Sequence, residues 1–205
     1  MSGLRVAVLA SGTGTNLQAV LDAVHGREGI EVVAVAGDEP AAPALERARI
    51  AGVEVGVFEQ DAFADRAARD AAMAAWLAER DVELVVLAGY MRLLSAAFLS
   101  RFPDRVINVH PALLPAFRGL DAIQQALDYG VKVFGVTVHF VDEGVDSGPV
   151  ILQRAIELPD AADAEAVHDL LRPLEHELLP EAIRLIARGA VSFDAANPRR
   201  VVISD

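Results

Sequence analysis

A polar motif, Asn108-Val-His110-Pro, closes an apolar segment of strand length. Side chains two positions apart on a strand face the same way, so we expect Asn108 and His110 to share one face. An amide donor beside an imidazole suits stabilisation of a developing oxyanion together with proton transfer. Alone, such a pair is more often a hydrogen-bonded strand end than a catalyst, so catalysis requires a third group.

Asp146 is the candidate for this third group. It stands in the loop 142–148, which has a glycine on both sides of it. A carboxylate near an imidazole favours the charged ring and fixes its orientation, as in acid–base sites. Loop aspartates are also common turn formers, and the residues alone leave both roles open. Thr137 and His139 share one strand face and are candidates for a supporting role, although a lone strand histidine is more often structural.

Zinc binding by His110, His139 and Asp146 is conceivable, but the spacing does not support it. The sequence has no H-E-x-x-H motif or comparable ligand spacing. It also has no cysteine, which excludes a disulfide framework, a thiolate nucleophile and an iron–sulfur cluster. We therefore expect no metal.

A glycine-rich loop, Ser11-Gly-Thr-Gly-Thr-Asn16, lies between an apolar strand and a helical pattern. Gly12 and Gly14 let the backbone turn tightly and bring its N–H groups towards an anion, and the helix start adds a favourable dipole end. The loop is not a dinucleotide fingerprint, because Leu17 stands at the position of the third glycine, and it is not a Walker sequence. A phosphate site and a plain strand-to-helix turn are equally consistent with it.

Two arginines stand out in a chain that has 30 acidic and 18 basic residues. Arg66, on a predicted helix, and Arg92, after a predicted strand, could each contact a carboxylate or phosphate through two hydrogen bonds. Either could equally be a surface arginine. Arg92 is the stronger candidate, because it follows a strand end on the same sheet edge as Asn108.

Apolar runs of strand length alternate with segments of helical period, which is typical of a parallel sheet covered by helices. Strands are predicted at Val6–Ala10, Ile30–Ala36, Val53–Phe58, Glu83–Ala88 and Val106–Val109. Helices are predicted from Asn16 to Gly26 and near Pro43–Ala51 and Phe63–Arg80. These elements predict an α/β fold, a Rossmann-like mostly parallel sheet with helices on both faces.

The pattern changes after Gly119. A helix is predicted at Leu120–Tyr129, followed by strands at Val131–Val141 and Val150–Ile156. The short connection between these strands favours an antiparallel pair, so the C-terminal portion of the sheet should be antiparallel. The helical pattern 164–187 contains Pro173 and Pro180, which should divide or kink it. The tail 191–205 should add a short hairpin or remain mobile.

The 205-residue chain is 53% hydrophobic, which is enough for one large core. We predict a single domain over residues 1–205, with a Rossmann-like nucleotide-binding half at 1–110 and a half at 111–205 that completes the sheet. The net charge of −12 disfavours general binding to nucleic acid or anionic lipid. Because the apolar runs are too short for a signal peptide or a membrane span, we expect a cytoplasmic protein.

Six segments together resemble the phosphoribosylglycinamide formyltransferases, a branch of the folate-dependent formyltransferases. They read SGTGTNLQAV, LERAR, VVLAGYMRLL, INVHPALLPAF, GVTVHFVDEGVDSGPVILQ and LEHELLP. The Asn-x-His-Pro and Asp-x-Gly-Pro elements occur across folate formyltransferases, and SG-x-G-(S/T)-NL points to this branch. The resemblance covers nearly the whole chain.

The resemblance implies a role for each motif. Catalysis falls on Asn108, His110 and Asp146. Ribonucleotide binding falls on Gly12, Gly14, Thr15, Asn16, Leu17 and Glu175. Folate binding falls on Arg66, Met91, Arg92, Leu93, Leu94 and Asn108, with the backbone of 91–94 recognising the pterin. The half 111–205 would complete the folate cleft.

The implied reaction passes a formyl group from 10-formyltetrahydrofolate, the co-substrate, to the primary amine of glycinamide ribonucleotide. Asn108 and protonated His110 would stabilise the tetrahedral oxyanion, and Asp146 would orient His110 and help proton relay. No metal or covalent nucleophile is needed. The implied partners are these small molecules, without nucleic acid or membrane, and a homodimer is admissible.

Three places depart from the pattern of relatives. Ala116 and Arg118-Gly119 stand where some relatives have a lysine and Pro-Gly. Ile123-Gln124 replaces a frequent His-Arg, and the segment 37–40 replaces a Ser-(Asn/Asp) sequence with a nearby basic residue. These departures concern phosphate affinity and loop geometry rather than the three catalytic candidates.

Other functions compete with this one. Formyltetrahydrofolate deformylase resembles the catalytic half but uses water as acceptor, and it normally carries an additional amino-terminal domain, whereas the first strand here begins within six residues of Met1. Methionyl-tRNA formyltransferase lacks the glycine loop and has a further RNA-binding domain. A non-catalytic nucleotide-binding module would need the glycine loop but not Asn108, His110 and Asp146 together.

Overall fold

The computed structural model describes residues 3–204. The strands are β1 (Leu4–Leu9), β2 (Ile30–Gly37), β3 (Glu54–Val57), β4 (Leu84–Leu87), β5 (Val106–His110), β6 (Val133–Phe140), β7 (Val150–Glu157), β8 (Val191–Phe193) and β9 (Val201–Ile203). The helices are α1 (Thr15–Val24), α2 (Pro43–Ile50), α3 (Arg66–Ala78), α4 (Ala96–Arg101), α5 (Ala122–Tyr129) and α6 (Ala164–Ala187), with a 3₁₀ turn at Gln60–Ala62.

Within this range, seven strands form one sheet in the order β3-β2-β1-β4-β5-β6-β7. The first five strands in this order, β3, β2, β1, β4 and β5, pair in parallel with their neighbours. Strand β7 pairs antiparallel with β6. The predicted fold class, a Rossmann-like mostly parallel sheet with an antiparallel C-terminal portion and helices on both faces, is confirmed.

The burial of apolar side chains explains the strands and helices of the first half of the chain. Strand β4 is buried at every residue, as expected for a parallel strand covered on both faces. Helix α1 buries Leu17, Val20, Leu21 and Val24, the positions that its periodicity predicted. Helix α4 was not predicted, because it has only six residues and little room for a periodic pattern. Ser95 caps this short helix by accepting a hydrogen bond from the N–H of Phe98.

In the C-terminal half, helix α6 packs against β6 and β7. The helix runs through Pro173 and Pro180 for 24 residues, so the expected division does not occur. Each proline removes one backbone donor, but the buried face of the helix extends on both sides of the two prolines, from Val167 to Leu185. Packing therefore outweighs the local cost of the prolines.

The tail forms the hairpin that was one of the two expectations for it. Strand β8 pairs antiparallel with β9, and the ring of Phe193 lies 5.0 Å from that of Phe140, centre to centre. Asp205, the last residue of the predicted tail, lies outside the described residues.

The chain divides into two compact units, one ending at Asn108 and one beginning at Val109. The prediction of a single domain with halves at 1–110 and 111–205 stays a prediction. No helix within residues 3–204 is both long enough and apolar enough to cross a membrane.

Candidate active site

In the second unit, the carboxylate of Asp146 lies between two imidazole rings. Its Oδ2 is 3.4 Å from Nδ1 of His110, and its Oδ1 is 3.5 Å from Nε2 of His139. Both histidines are almost completely buried, and the aspartate side chain is 15% exposed. The structure thus brings together one residue from the end of β5, one from the end of β6 and one from the following loop.

Each ring also faces a backbone carbonyl with its other nitrogen. Nε2 of His110 is 2.9 Å from the oxygen of Phe117, and Nδ1 of His139 is 2.7 Å from the oxygen of Phe140. A neutral imidazole has one N–H donor, whereas the doubly protonated ring has two. At either position, a doubly protonated ring would have an acceptor oxygen near each of its two donors.

The backbone around Asp146 holds its side chain in place. Asp146 itself has φ 44°, in the left-handed region that most residues avoid. A side chain at Gly148 would collide with the carbonyl oxygen of Phe140, so glycine is required for the close return of the loop. The N–H of Gly119 donates to Oδ2 of Asp146 at 2.8 Å.

The charge state of Asp146 follows from these contacts. Burial alone would raise the pKa of its carboxyl group. The hydrogen bonds from His139 and the Gly119 N–H, with the nearby His110, outweigh burial and hold this pKa below its usual value. The carboxylate is therefore charged at neutral pH.

The remaining candidates in this part of the chain take different positions. Thr137 is fully buried, and its hydroxyl donates to the carbonyl of Ala112 at 2.6 Å and accepts from the N–H of Leu114 at 3.2 Å. It thus holds the segment that follows His110. Asn108 lies two residues before His110 on β5 and is partly buried.

Glu175 is 4% exposed on helix α6, and its Oε2 lies 3.9 Å from Nε2 of His168. This carboxylate raises the pKa of His168, although burial works in the opposite direction. Glu175 therefore has a partner that is protonated more readily than an ordinary histidine. His168 was not predicted, because nothing in its local sequence marks it.

In the first unit, the glycine loop leads directly into α1. Gly14 caps the helix with φ 73°, and Thr15, Asn16 and Leu17 form its first turn, with Leu17 buried. A Cβ on Gly14 would lie 2.6 Å from Cα of Ala44, so this glycine is needed for packing as well as for its conformation. At Gly12, by contrast, a Cβ would have open space.

The segment Met91–Leu94 meets the glycine loop through a shared network. The N–H of Met91 donates to Oγ of Ser11 at 3.0 Å, and that hydroxyl donates to Oδ1 of Asp38 at 2.6 Å. Nε of Arg92 donates to Oδ2 of Asp38, also at 2.6 Å. The guanidinium that the sequence marked as an anion contact is thus bound to a carboxylate of the protein.

Asp38 lies in the segment 37–40, one of the departures from the pattern of relatives. Its side chain is only 3% exposed. Burial alone would raise its pKa, but the hydrogen bonds from Ser11 and Arg92 outweigh burial and hold the pKa below its usual value. No motif connects Asp38 with Arg92, which is 54 residues away in the chain.

Arg66, the other arginine candidate, is exposed at the start of α3. The arginine of this helix that reaches the segment Met91–Leu94 is Arg69, which is 1% exposed and paired with Asp70. A signal for the burial of Arg69 was present in the sequence, because Arg69 falls on the same stripe as the apolar Met73 and Leu77.

Among the described residues, no three His, Asp or Glu side chains are arranged to hold a metal ion. The conceivable zinc trio of His110, His139 and Asp146 is therefore not such a group.

Comparison of the chain with known proteins identifies its family. The model of the formyl transferase family matches residues 4–183, most of the chain. The chain belongs to the formyl transferase family. Among its relatives, phosphoribosylglycinamide formyltransferase of Mycobacterium tuberculosis (strain ATCC 25618 / H37Rv) is 44% identical over 202 residues, covering 97% of this chain and 94% of the relative. The enzyme of the same name from Bacillus subtilis (strain 168) is 39% identical over 181 residues, covering 88% and 93%.

The family also includes larger proteins. The trifunctional purine biosynthetic protein adenosine-3 of Bos taurus is 41% identical over 188 residues, which are 91% of this chain but 19% of that protein. The chain thus spans about a fifth of the length of this trifunctional relative. Among solved structures, glycinamide ribonucleotide transformylase 1 from Symbiobacterium toebii superimposes with a TM-score of 0.94 at 48% identity, covering 100% of this chain and 95% of that one.

Proposed function

We propose that the chain transfers the formyl group of 10-formyltetrahydrofolate to the primary amine of glycinamide ribonucleotide. The observation that carries this proposal is the Asp146 carboxylate between His110 and His139. Such a cluster favours a charged imidazole, which can donate a hydrogen bond to a developing oxyanion. The family and the names of its members supply the two substrates.

In the proposed reaction, the amine nitrogen attacks the formyl carbon, and the carbonyl electron pair moves onto oxygen. The side-chain N–H of Asn108 and the charged ring of His110 stabilise this oxyanion, which replaces the Phe117 carbonyl at Nε2. Collapse re-forms the carbonyl and breaks the bond from carbon to N10 of the folate. The amine nitrogen loses one proton and N10 gains one, with relay through His110, Asp146 and water.

The ribonucleotide would bind through its phosphate to the backbone of the glycine loop. This position combines a helix start with an unobstructed approach at Gly12, where even an added Cβ would have open space. The proposed contacts are Gly12, Gly14, Thr15, Asn16 and Leu17. The buried carboxylate of Glu175 is the proposed further contact to this substrate.

The folate would bind at Arg66 and at the segment Met91–Leu94. Met91 and Leu93 are 64% and 56% exposed, which offers apolar surface to a flat ring system. Because the guanidinium of Arg92 is engaged by Asp38, we propose that Arg92 contributes its backbone to pterin recognition. Asn108 would contact the formyl group.

One assay tests the proposal and separates it from the deformylase alternative. Purified protein is given 10-formyltetrahydrofolate with or without glycinamide ribonucleotide, and release of tetrahydrofolate is followed. We expect release that depends on the amine. Equal release without the amine would show that water is the acceptor, and no release under either condition would overturn the enzymatic proposal.

We further propose a cytoplasmic enzyme whose partners are these two small molecules. The absence of cysteine and the acidic composition fit this setting. A homodimer remains part of the proposal, and the mass measured by light scattering after gel filtration tests it. Twice 21.8 kDa would support the dimer, and 21.8 kDa would overturn it.

A further inference from the structure

The segment from Met91 to Ser95 is held by side chains rather than by regular secondary structure. Three of its backbone groups form hydrogen bonds with side chains. The N–H of Met91 donates to Ser11, the carbonyl of Leu93 accepts from Arg69, and the N–H of Ser95 donates to Asp70. Two of these three bonds come from the adjacent pair on helix α3. This pair therefore fixes the backbone on both sides of Leu94.

Arg69 and Asp70 are 1% and 0% exposed. Nε and Nη2 of Arg69 donate to Oδ1 of Asp70 at 3.0 and 2.7 Å, and Nη1 donates to Oε1 of Gln60 at 2.9 Å. Nη2 also reaches the carbonyl of Leu93 at 3.4 Å, and Oδ2 of Asp70 accepts the N–H of Ser95 at 2.6 Å. Every nitrogen of the guanidinium and both oxygens of the carboxylate therefore have a hydrogen-bond partner at a defined position.

Stability alone does not account for such a pair. Removing two charges from water costs about as much as their attraction returns, so a hydrophobic replacement of similar volume is often neutral or stabilising. What a hydrophobic pair could not supply is the acceptor for Ser95 and the donor for Leu93. The bonds of the pair to the Met91–Ser95 backbone are its distinctive contribution.

The fixed backbone leaves other polar groups available. Within residues 3–204, no hydrogen bond reaches the backbone N–H of Arg92 or either backbone group of Leu94. These groups stand next to the exposed side chains of Met91 and Leu93. A heterocycle with donors and acceptors on one edge binds such a strip of backbone more tightly when the strip already holds one conformation, because less conformational freedom is lost on binding.

We propose that Arg69 and Asp70 are positioning residues that hold the Met91–Ser95 backbone in the conformation that binds the folate ring. The inference rests on the proposed function, since it takes the folate as the ligand of this segment. The pair itself does not touch the ligand. It acts by lowering the conformational freedom that binding would otherwise remove.

The decisive variant replaces both partners, Arg69→Met with Asp70→Val, because it removes the bonds to the segment without leaving an unpaired buried charge. We expect the dissociation constant of 5,8-dideazafolate, measured by calorimetry, to rise about 10²-fold as the segment loses its fixed geometry. The dissociation constant of glycinamide ribonucleotide should stay unchanged within error. Hydrogen exchange at the Ser95 amide should become faster.

Two further variants help to interpret this result. Arg69→Lys keeps the charge and should lose part of the folate affinity, because one ammonium cannot reproduce the fork of bonds. Arg80→Met is the matched control, since Arg80 follows the same helix and binds the carbonyl of Trp76 instead. It should leave folate affinity unchanged even where it lowers the melting temperature.

A folded double variant with wild-type folate affinity and wild-type exchange at Ser95 would overturn the positioning role. An equal loss of affinity for both substrates would also overturn it, because that result indicates general damage. Should the double variant unfold, Arg69→Lys decides in its place by the same two criteria. Failure of the wild type itself to bind the folate analogue would instead overturn the proposed function, and the exchange measurement would still show whether the pair holds the segment.

Discussion

The two units hold their most enclosed carboxylates with different partners, arginine in the first and histidine in the second. The pairs of the first unit are Arg92 with Asp38 and Arg69 with Asp70. Those of the second unit are His110 and His139 with Asp146, and His168 with Glu175. A guanidinium keeps its charge at every physiological pH, whereas an imidazole changes charge between about pH 5 and 8.

This difference separates two tasks. The pairs of the first unit have constant charge, which suits segments that must keep one shape to bind ligands. The pairs of the second unit can gain and lose protons, which suits chemistry in which a proton moves. We therefore expect variants in the first unit to change substrate affinity, and variants around Asp146 to change turnover and its pH dependence.

The largest effect is expected for Asn108→Asp, which adds another carboxylate beside His110 with almost no change of shape. If a negative charge near the imidazoles were sufficient, turnover would survive. Because an N–H donor to the oxyanion is lost and a repelling charge is gained, we expect turnover to fall at least about 10²- to 10³-fold. Steady-state turnover at saturating substrates measures this, with a thermal melt as the control for folding. A folded variant within a few-fold of wild type would rule out the oxyanion role.

A smaller effect, on affinity alone, is expected for Gly12→Ala in the first unit. The new methyl group meets no protein atom within 4 Å, yet it stands where the phosphate would approach the backbone. The KM for glycinamide ribonucleotide should rise about tenfold, the cost of weakening a hydrogen bond to a charged group, while turnover and its pH profile stay constant. Gly14→Val is a poorer test, because a Cβ there would strike Ala44. An unchanged KM would count against phosphate binding at this loop.

A few-fold effect on turnover is expected for Arg199→Ala in the C-terminal hairpin. Nη2 of Arg199 donates to the carbonyl of Ser147 at 2.5 Å, next to Asp146. Loss of one such bond should loosen the loop and lower turnover about threefold. Arg200→Ala is the matched control, since Arg200 pairs with Asp194 within the hairpin. The same loss in both variants would show a general effect of the hairpin rather than support of the loop.

The smallest effect concerns the His168–Glu175 pair and stability. Because the folded state raises the pKa of His168, the pair stabilises the protein below about pH 6.5, the usual histidine value, and this contribution is lost as the pH rises through the raised pKa. Since His168 is nearly half exposed, His168→Gln should lower the free energy of unfolding by only about 0.3 kcal/mol at pH 5.5, and by less at pH 8.5. Urea denaturation at the two pH values checks the sign. A larger loss at pH 8.5 would contradict the pairing.

Much of the fold could be predicted because the spacing of apolar residues along the chain indicates its helices and strands. The stripe of Leu17, Val20, Leu21 and Val24 defines α1, and continuous apolar runs define the parallel strands. Local rules failed where distant packing decides the outcome. Proline favours a helix end, yet α6 continues because its buried face extends past both prolines.

The same distinction applies to the residues of the candidate site. The sequence could indicate Asp146 as a partner of His110, because both stand in distinctive polar motifs, and the structure places their side chains 3.4 Å apart. Asp38 and Asp70 had no such motif. Their partners Arg92 and Ser95 are 54 and 25 residues away, so only the folded chain reveals the pairing. The catalytic and binding roles themselves remain proposals.

The most direct test of the difference between the units is the pH dependence of the single-turnover rate in Asp146→Asn and in Asp38→Asn. Both changes replace a carboxylate whose pKa the folded state lowers, by an amide of the same shape. For Asp146→Asn we expect a rate lower by about 10²-fold, with the alkaline decline beginning at lower pH, because a neutral amide no longer favours the charged ring. For Asp38→Asn we expect a weaker folate affinity and a pH profile of unchanged shape. Wild-type rate and profile in a folded Asp146→Asn variant would contradict the account and leave Asp146 as a turn former.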